Sequence, residues 1–301
     1  MNDSQCTEIA ALVNKFSKGN GVHGSAIAGV NCIKFDTTIE KFSGVYHPSL
    51  CIIVQGKKRV LLENEIFQYQ PSEFLVASVD LPVIGQIIEA TKDKPYLCLQ
   101  IELDLHELTE LAIRVNRGRV SAKTIYPGIF IGDVDDSLAD SVLRLVRLLE
   151  TQRDIEVLSP IIKREIYYRL INGEYGIRIA SITQIGSNMQ RISAAIKILK
   201  TNFSNRVNME ELATEVGMSI SSFYTHFKSV TAMTPLQYQK RLRLLEARKI
   251  MINERQDAAS KAFQVGYESP SQFSREYARQ FGNPPRRDVG SLSRILIINV
   301  L

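Results

Sequence analysis

The sequence predicts an α+β chain in two parts: an antiparallel β region with accompanying helices, then an all-α region. Three observations carry this. Residues 25–102 are short β-branched and aromatic runs punctuated by Gly56 and Pro71, which is strand-and-turn text. From Asp104 onward, apolar residues recur at helical spacing, as an amphipathic helix requires. Near the end one small device occurs twice, as "VGMSISSFYTHFKSVTAMTP" (216–235) and "VGYESPSQFSREYARQFGNPP" (265–285).

Composition sets the outer limits. A chain of 301 residues with 45% apolar and 23% charged residues is globular and long enough for two domains. No apolar run approaches the ~18 residues of a membrane span, and the start "MNDSQCTEIAALVNKF" lacks a basic stretch followed by an apolar core. The expectation is a cytoplasmic protein with no membrane partner. Cys6, Cys32, Cys51 and Cys98 form no C-x-x-C pair and read as reduced, partly buried thiols.

Each element has its own signal. "LCIIVQGKKRVLLENEIFQYQPSEFLVASVD" supplies the core strands of the β region. "DLHELTELAIRVNRG" opens a helix, with Asp104 able to cap and Glu107 three residues later. "DDSLADSVLRLVRLLE" carries a stripe of Leu138, Val142, Leu145, Val146 and Leu149, suited either to its own core or to a second subunit. "SPIIKREIYYRLING" opens at Ser159 and Pro160 and closes at Gly173. The predicted domains are 1–173 and 187–301, with 174–186, "EYGIRIASITQIG", as linker.

The repeat reads as a physical device. Leu212, Ala213 and Val216 form one apolar helix stripe, Gly217 ends that helix, and Ser219 can cap the next. Phe223 and Phe227 then face inward, leaving Ser221, Tyr224, Thr225 and Lys228 outward. The second copy places Ala262, Val265, Phe273 and Tyr277 inside and Ser271, Gln272, Arg275 and Arg279 outside. Two helices around a glycine turn, with an exposed outer helix, form a helix-turn-helix able to enter a major groove. An αα-hairpin alone can imitate the pattern, but here it recurs in register: Ala213 to Ala262 is 49 positions and Phe223 to Phe273 is 50. "PLQYQKRLRLLEARKIMIN" has no internal breaker and predicts one long helix between the units.

Charge follows the same division. Residues 1–185 hold 20 Lys+Arg against 23 Asp+Glu, whereas residues 186–301 hold 17 against 9. A basic C-terminal third suits double-stranded DNA, because each phosphate contact releases condensed counterions; the alternative is a solvated basic surface. Ser221, Tyr224, Thr225, Ser271, Gln272 and Arg275 are the candidate base readers, and Lys228, Arg243 and Arg279 the candidate phosphate contacts.

Residues 187–285 resemble the DNA-binding domain of the AraC/XylS family of bacterial transcription regulators, most specifically in "TPLQYQKRLRLLEARKIM" and "VGYESPSQFSREYARQFGNPP". The resemblance implies seven helices with two helix-turn-helix units reading successive major grooves. The stretch "HPSLCIIVQGKKRVLLENEIFQYQPSEFLVASVDLPV" is similar to the cupin-like regulatory domain of a branch of this family, implying an N-terminal antiparallel β-barrel that senses a small-molecule effector or mediates dimerisation. It also implies an N-terminal homodimer, an activator role and RNA polymerase as a further partner. Three features depart from the family pattern: Ala232 where glycine is usual, Lys261 where an aliphatic residue is usual, and the apolar tail "SLSRILIINVL".

Other chemistry is thinly signalled. "GNGVHG" (19–24) matches G-x-G-x-x-G, but it follows a helical segment and precedes a strand, the reverse of a dinucleotide site. His23, His47, His106 and His226 are isolated, so neither a metal nor another cofactor is expected. The competing class is an enzyme carrying the same DNA-binding module, such as a DNA-alkyl repair regulator with zinc-bound cysteine; the wide cysteine gaps argue against it. An effector pocket in the barrel would be lined by Val54, Leu62, Phe67 and Tyr69, although a packed core is the alternative. The residues leave effector, promoter and sign of regulation open.

Overall fold

The computed structural model of the chain describes residues 1–115, 126–184, 186–254 and 262–292. Lys261 and the tail from residue 293 lie outside these. The chain divides into two compact units, residues 1–190 and the part from Arg191 onward.

The first unit opens with α1 (Asp3–Lys15), capped by Asn2, whose side-chain oxygen accepts from the Gln5 amide at 3.0 Å. Its β text then folds into two sheets in which every pairing is antiparallel. The six-stranded sheet has the order β1 (Gly21–Gly24), β2 (Val30–Phe35), β9 (Tyr96–Glu102), β4 (Ser49–Gln55), β7 (Glu73–Ala77), β10 (Ile129–Asp133). The four-stranded sheet has the order β3 (Ile39–Tyr46), β8 (Leu81–Glu89), β5 (Lys57–Leu62), β6 (Glu65–Tyr69).

Alternation along the strands sorts residues between two interiors. Leu50, Ile52 and Val54 of β4 and Leu97, Leu99 and Ile101 of β9 enter a core built with helices. Cys51, Ile53, Tyr96 and Cys98 fall between, on the opposite face, and are also buried. In β5, Lys58, Val60 and Leu62 are buried while their neighbours are only partly so.

Helices α2 (Leu105–Val115), α3 (Asp136–Arg147), α4 (Gln152–Asn172) and α5 (Gly176–Thr183) complete this unit, with a 3-10 turn at Leu148–Glu150. Asp104 caps α2 as expected, its Oδ1 accepting from the His106 and Glu107 amides at 2.9 and 3.1 Å. The stripe of α3 lies wholly within its own unit: Leu138, Val142, Leu145, Val146 and Leu149 all belong to the core. Each such burial contributes about 1.5–3 kcal/mol.

Two expectations are corrected here. Helix α4 begins at Gln152 and passes through Pro160 instead of starting there; the proline costs one backbone donor, which core packing of Ile162, Ile166 and Leu170 offsets. The segment 174–186 is not an open linker over its length, because α5 occupies it and Ile179 and Ile182 pack into the first unit's core.

The second unit is helical. It contains α6 (Asn188–Thr201), which starts at the division, α7 (Met209–Glu215), α8 (Ile220–Thr231) and the long α9 (Pro235–Glu254). A helical stretch ending at residue 264 is followed by α10 (Pro270–Phe281) and α11 (Pro285–Leu292).

Candidate nucleic-acid interface

The first helix-turn-helix is α7 and α8. Asn208 caps α7, its Oδ1 accepting from the Glu210 amide at 3.0 Å, and Gly217 takes φ +69° at the turn. Ser219 caps α8, its Oγ accepting from the Ser222 amide at 3.3 Å. Phe223 and Phe227 are fully buried and meet edge to face with centroids 5.6 Å apart; Phe227 contacts Tyr238 of α9 at 5.4 Å. With that face anchored, Ser221, Thr225 and Lys228 are exposed and Tyr224 is half-buried, its ring edge-on to Phe223. Helix α8 ends on Ala232 at φ +59°, the left-handed conformation that its replacement of glycine threatened to make costly.

The second unit repeats the geometry. Ser269 caps α10, its Oγ accepting from the Gln272 amide at 3.3 Å, and Pro270 opens the helix. Ala262, Val265, Phe273 and Tyr277 are buried, whereas Ser271, Gln272, Arg275 and Arg279 are exposed. Gly266 has φ +86°, and a Cβ there would collide with the Ser204 carbonyl, so this turn requires glycine on two counts.

On the half-buried side of α10, Glu276 accepts from the Tyr267 hydroxyl at 2.8 Å, from Lys240 Nζ at 3.2 Å and from Gln272 Nε2 at 3.2 Å. Burial pushes its pKa up, but these donors outweigh it and hold the carboxyl below its usual value. Gln272 is thus tethered on the exposed face. Deeper in, Arg248 makes two parallel bonds to Asp288 at 2.9 and 3.0 Å, and the Tyr277 hydroxyl donates to the same carboxylate at 2.7 Å. That ties α9, α10 and α11 together.

Arg243 departs from expectation. Its Nε donates to the Phe203 carbonyl at 2.6 Å, Nη1 to Gly266 at 2.9 Å, and Nη2 to Asn205 at 2.9 Å and Ser204 at 3.3 Å. A guanidinium committed to four backbone carbonyls is a clamp between the loop after α6 and the second turn, not a free phosphate contact.

The expected effector residues also separate. Leu62 and Tyr69 are buried, and Phe67 is paired with inward Val60. These three share the inner face of the four-stranded sheet, with Lys58, which is paired with Tyr69. Val54 does not join them: it packs among the helices with Leu50 and Ile52. Lys58 is the inner-face residue that the sequence reading overlooked, although its alternation with Val60 and Leu62 was the available signal.

Two capped outer helices with exposed polar faces, in a basic unit, define a double helix-turn-helix DNA-binding module. The family model for the AraC-type transcriptional regulator N-terminus matches residues 26–178, and one for a helix-turn-helix domain matches residues 212–288. The chain belongs to the AraC-type transcriptional regulators. Among curated relatives, the HTH-type transcriptional activator RhaS of Escherichia coli is 25% identical over 154 residues, 51% of this chain and 55% of RhaS. The match therefore spans about half the length of that relative. Among solved structures, unsaturated fatty acid bound wild-type ToxT from Vibrio cholerae strain SCE256 superposes with a TM-score of 0.55 at 12% identity, covering 88% of this chain and 96% of ToxT. The P21 form of Vibrio cholerae ToxT gives 0.55 at 10% identity, over 87% and 98%. Among the described residues no helix is long and apolar enough to cross a membrane.

Proposed function

We propose that the chain is a sequence-specific regulator that binds promoter DNA through α8 and α10 and is controlled at its N-terminal unit by a small-molecule effector. The observation that carries this is the pair of capped outer helices, each with one face locked by buried aromatics and the other exposed. Ser221, Tyr224, Thr225, Ser271, Gln272 and Arg275 read bases, while Lys228 and Arg279 hold phosphates. The relatedness to the transcriptional activator RhaS supports an activator, for which RNA polymerase is the further partner in this reading, and the unsaturated fatty acid bound to ToxT supports control by a small-molecule effector. Neither catalysis nor a resident metal is part of this reading.

Dimerisation belongs to the proposal with a changed surface. Helix α3 has no apolar stripe left to offer, but α4 exposes Val157 and Ile161, at 66% and 61%, together with Tyr168. Their spacing places all three on one side of the helix. That face is the surface through which a homodimer forms.

The test is a mobility-shift titration of the full chain against a library of ~20 bp duplexes, the length that two adjacent major grooves require. Selected sites are bound with an affinity that falls steeply between about 50 and 200 mM salt, as several neutralised phosphates dictate. Absence of salt-sensitive binding to any duplex overturns the proposal.

A further inference from the structure

The two sheets meet around a buried lysine. Lys58 is only 4% exposed, and its ammonium lies 5.1 Å from the ring centroids of Phe42 and Tyr46 and 6.0 Å from that of Tyr96 on the facing sheet. Tyr69 is its cross-strand partner on β6. No carboxylate pairs with Lys58 among the described residues. The hydroxyls of Tyr46, Tyr69 and Tyr96 are all buried and none makes a hydrogen bond of standard geometry; that of Tyr46 lies beside the Lys58 ammonium, and the Cys51 and Cys98 thiols share the same interior.

This arrangement is unbalanced. Aromatic faces attract the ammonium electrostatically, yet they accept no conventional hydrogen bond. Burial pushes the hydroxyls of Tyr46, Tyr69 and Tyr96 above the usual phenol range, so at neutral pH they are O–H donors and carry no charge to offset the lysine. One cation, three hydroxyls and two thiols thus share this interior without a carboxylate among them. Buried polar groups left unpaired in this number require an explanation.

We propose that the buried cluster around Lys58, between the sheets, is the binding site of a small monocarboxylate, with Lys58 as the charge anchor and Tyr46, Tyr69 and Tyr96 as hydroxyl donors. A carboxylate offers two oxygens with about four acceptor directions, which matches one ammonium and three hydroxyls. Its single negative charge neutralises the single buried positive one, whereas a dianionic phosphate would leave surplus charge in a low-dielectric interior. Ile53, Val60, Leu62 and Val83, buried in the same two sheets, suit an apolar body on the acid. The inference rests on the effector reading of the N-terminal unit and gives that effector its chemistry.

The experiment titrates the full chain calorimetrically with monocarboxylates from acetate to octanoate and with benzoate. The corresponding amides serve as uncharged counterparts and inorganic phosphate as the dianion. At least one monocarboxylate binds, its amide binds at least about tenfold more weakly, as loss of a charge-assisted hydrogen bond dictates, and phosphate does not compete. Lys58→Gln abolishes carboxylate binding. Should that variant fail to fold, Tyr69→Phe and Tyr96→Phe keep the rings and are expected to weaken carboxylate binding severalfold without changing the circular dichroism spectrum. Equal binding of acid and amide, no binding by any monocarboxylate, or unchanged affinity in the tyrosine variants overturns the proposal. DNA binding measured on the same samples separates the two readings: intact DNA binding without carboxylate binding refutes this site alone, and carboxylate binding without DNA binding refutes the regulator.

Discussion

At the level of single residues, two arginines of similar sequence appeal have opposite fates. Arg275 is exposed on α10 with its anchor residues Phe273 and Tyr277 locked beneath it, so its fork is available for a bidentate guanine contact. Arg275→Ala is expected to cost about 1–3 kcal/mol and to relax preference at one base pair in a binding-site selection. Lys228→Ala, nearer the end of its helix, lowers affinity for all sequences alike and flattens the salt dependence. Arg243 is spent on carbonyls of residues 203–205 and 266. Its replacement by Ala is expected to cost about 2–4 kcal/mol of stability in the C-terminal unit, since several bonds to a charged donor are lost together. Arg243→Lys is nearly as damaging, because an ammonium cannot span four acceptors set for a planar fork. Urea unfolding distinguishes the roles: a lysine variant of unchanged stability would return Arg243 to the phosphate contacts.

At the level of elements, legibility tracked how local each signal was. The helix-turn-helix units were readable because caps at Ser219 and Ser269, a turn glycine and aromatics four apart all act within a dozen residues. Even the misfit at Ala232 was readable, as a helix end needing positive φ without glycine. Since Ala232 does sit at φ +59°, Ala232→Gly is expected to stabilise the unit by about 0.5–1 kcal/mol: relief of left-handed strain exceeds the added chain entropy. Thermal unfolding checks this, and a fall in stability would mean the strain is already absorbed. Less was legible where partners are distant. Arg243 contacts carbonyls up to 40 positions away, which no local pattern encodes. Segment 174–186 has linker-like Gly and Ser residues, but its isoleucines at 179 and 182 recur at helical spacing and find the first unit's core. Lys58 was passed over because a charged residue in strand text is expected to face water, although the period of two placed it inside with Val60 and Leu62.

At the level of the whole molecule, the charge division assigns different tasks to the two units: the part after residue 185 carries 17 basic against 9 acidic residues, and the part before it 20 against 23. Only the former gains from a polyanion, so the latter can meet a second copy of itself without like-charge cost from a strongly basic surface. The interior of the first unit already consumes the stripe of α3, which leaves the outward side of α4, with Val157 and Ile161 more than half exposed. Linking two DNA-binding units through that side raises the affinity for tandem sites by a factor of about 10²–10⁴ with no new DNA contact, because the second binding event becomes intramolecular. Sedimentation equilibrium of the full chain at micromolar concentration is therefore expected to give a dimer, and the double variant Val157→Glu with Ile161→Glu a monomer, since two buried like charges per subunit would be forced into the contact. The variant keeps its affinity for a single site and loses the advantage on two, which a mobility shift with one-site and two-site duplexes measures directly. A wild-type monomer across that concentration range, or a double variant that still dimerises, removes α4 as the contact and leaves the DNA-binding module to act one site at a time.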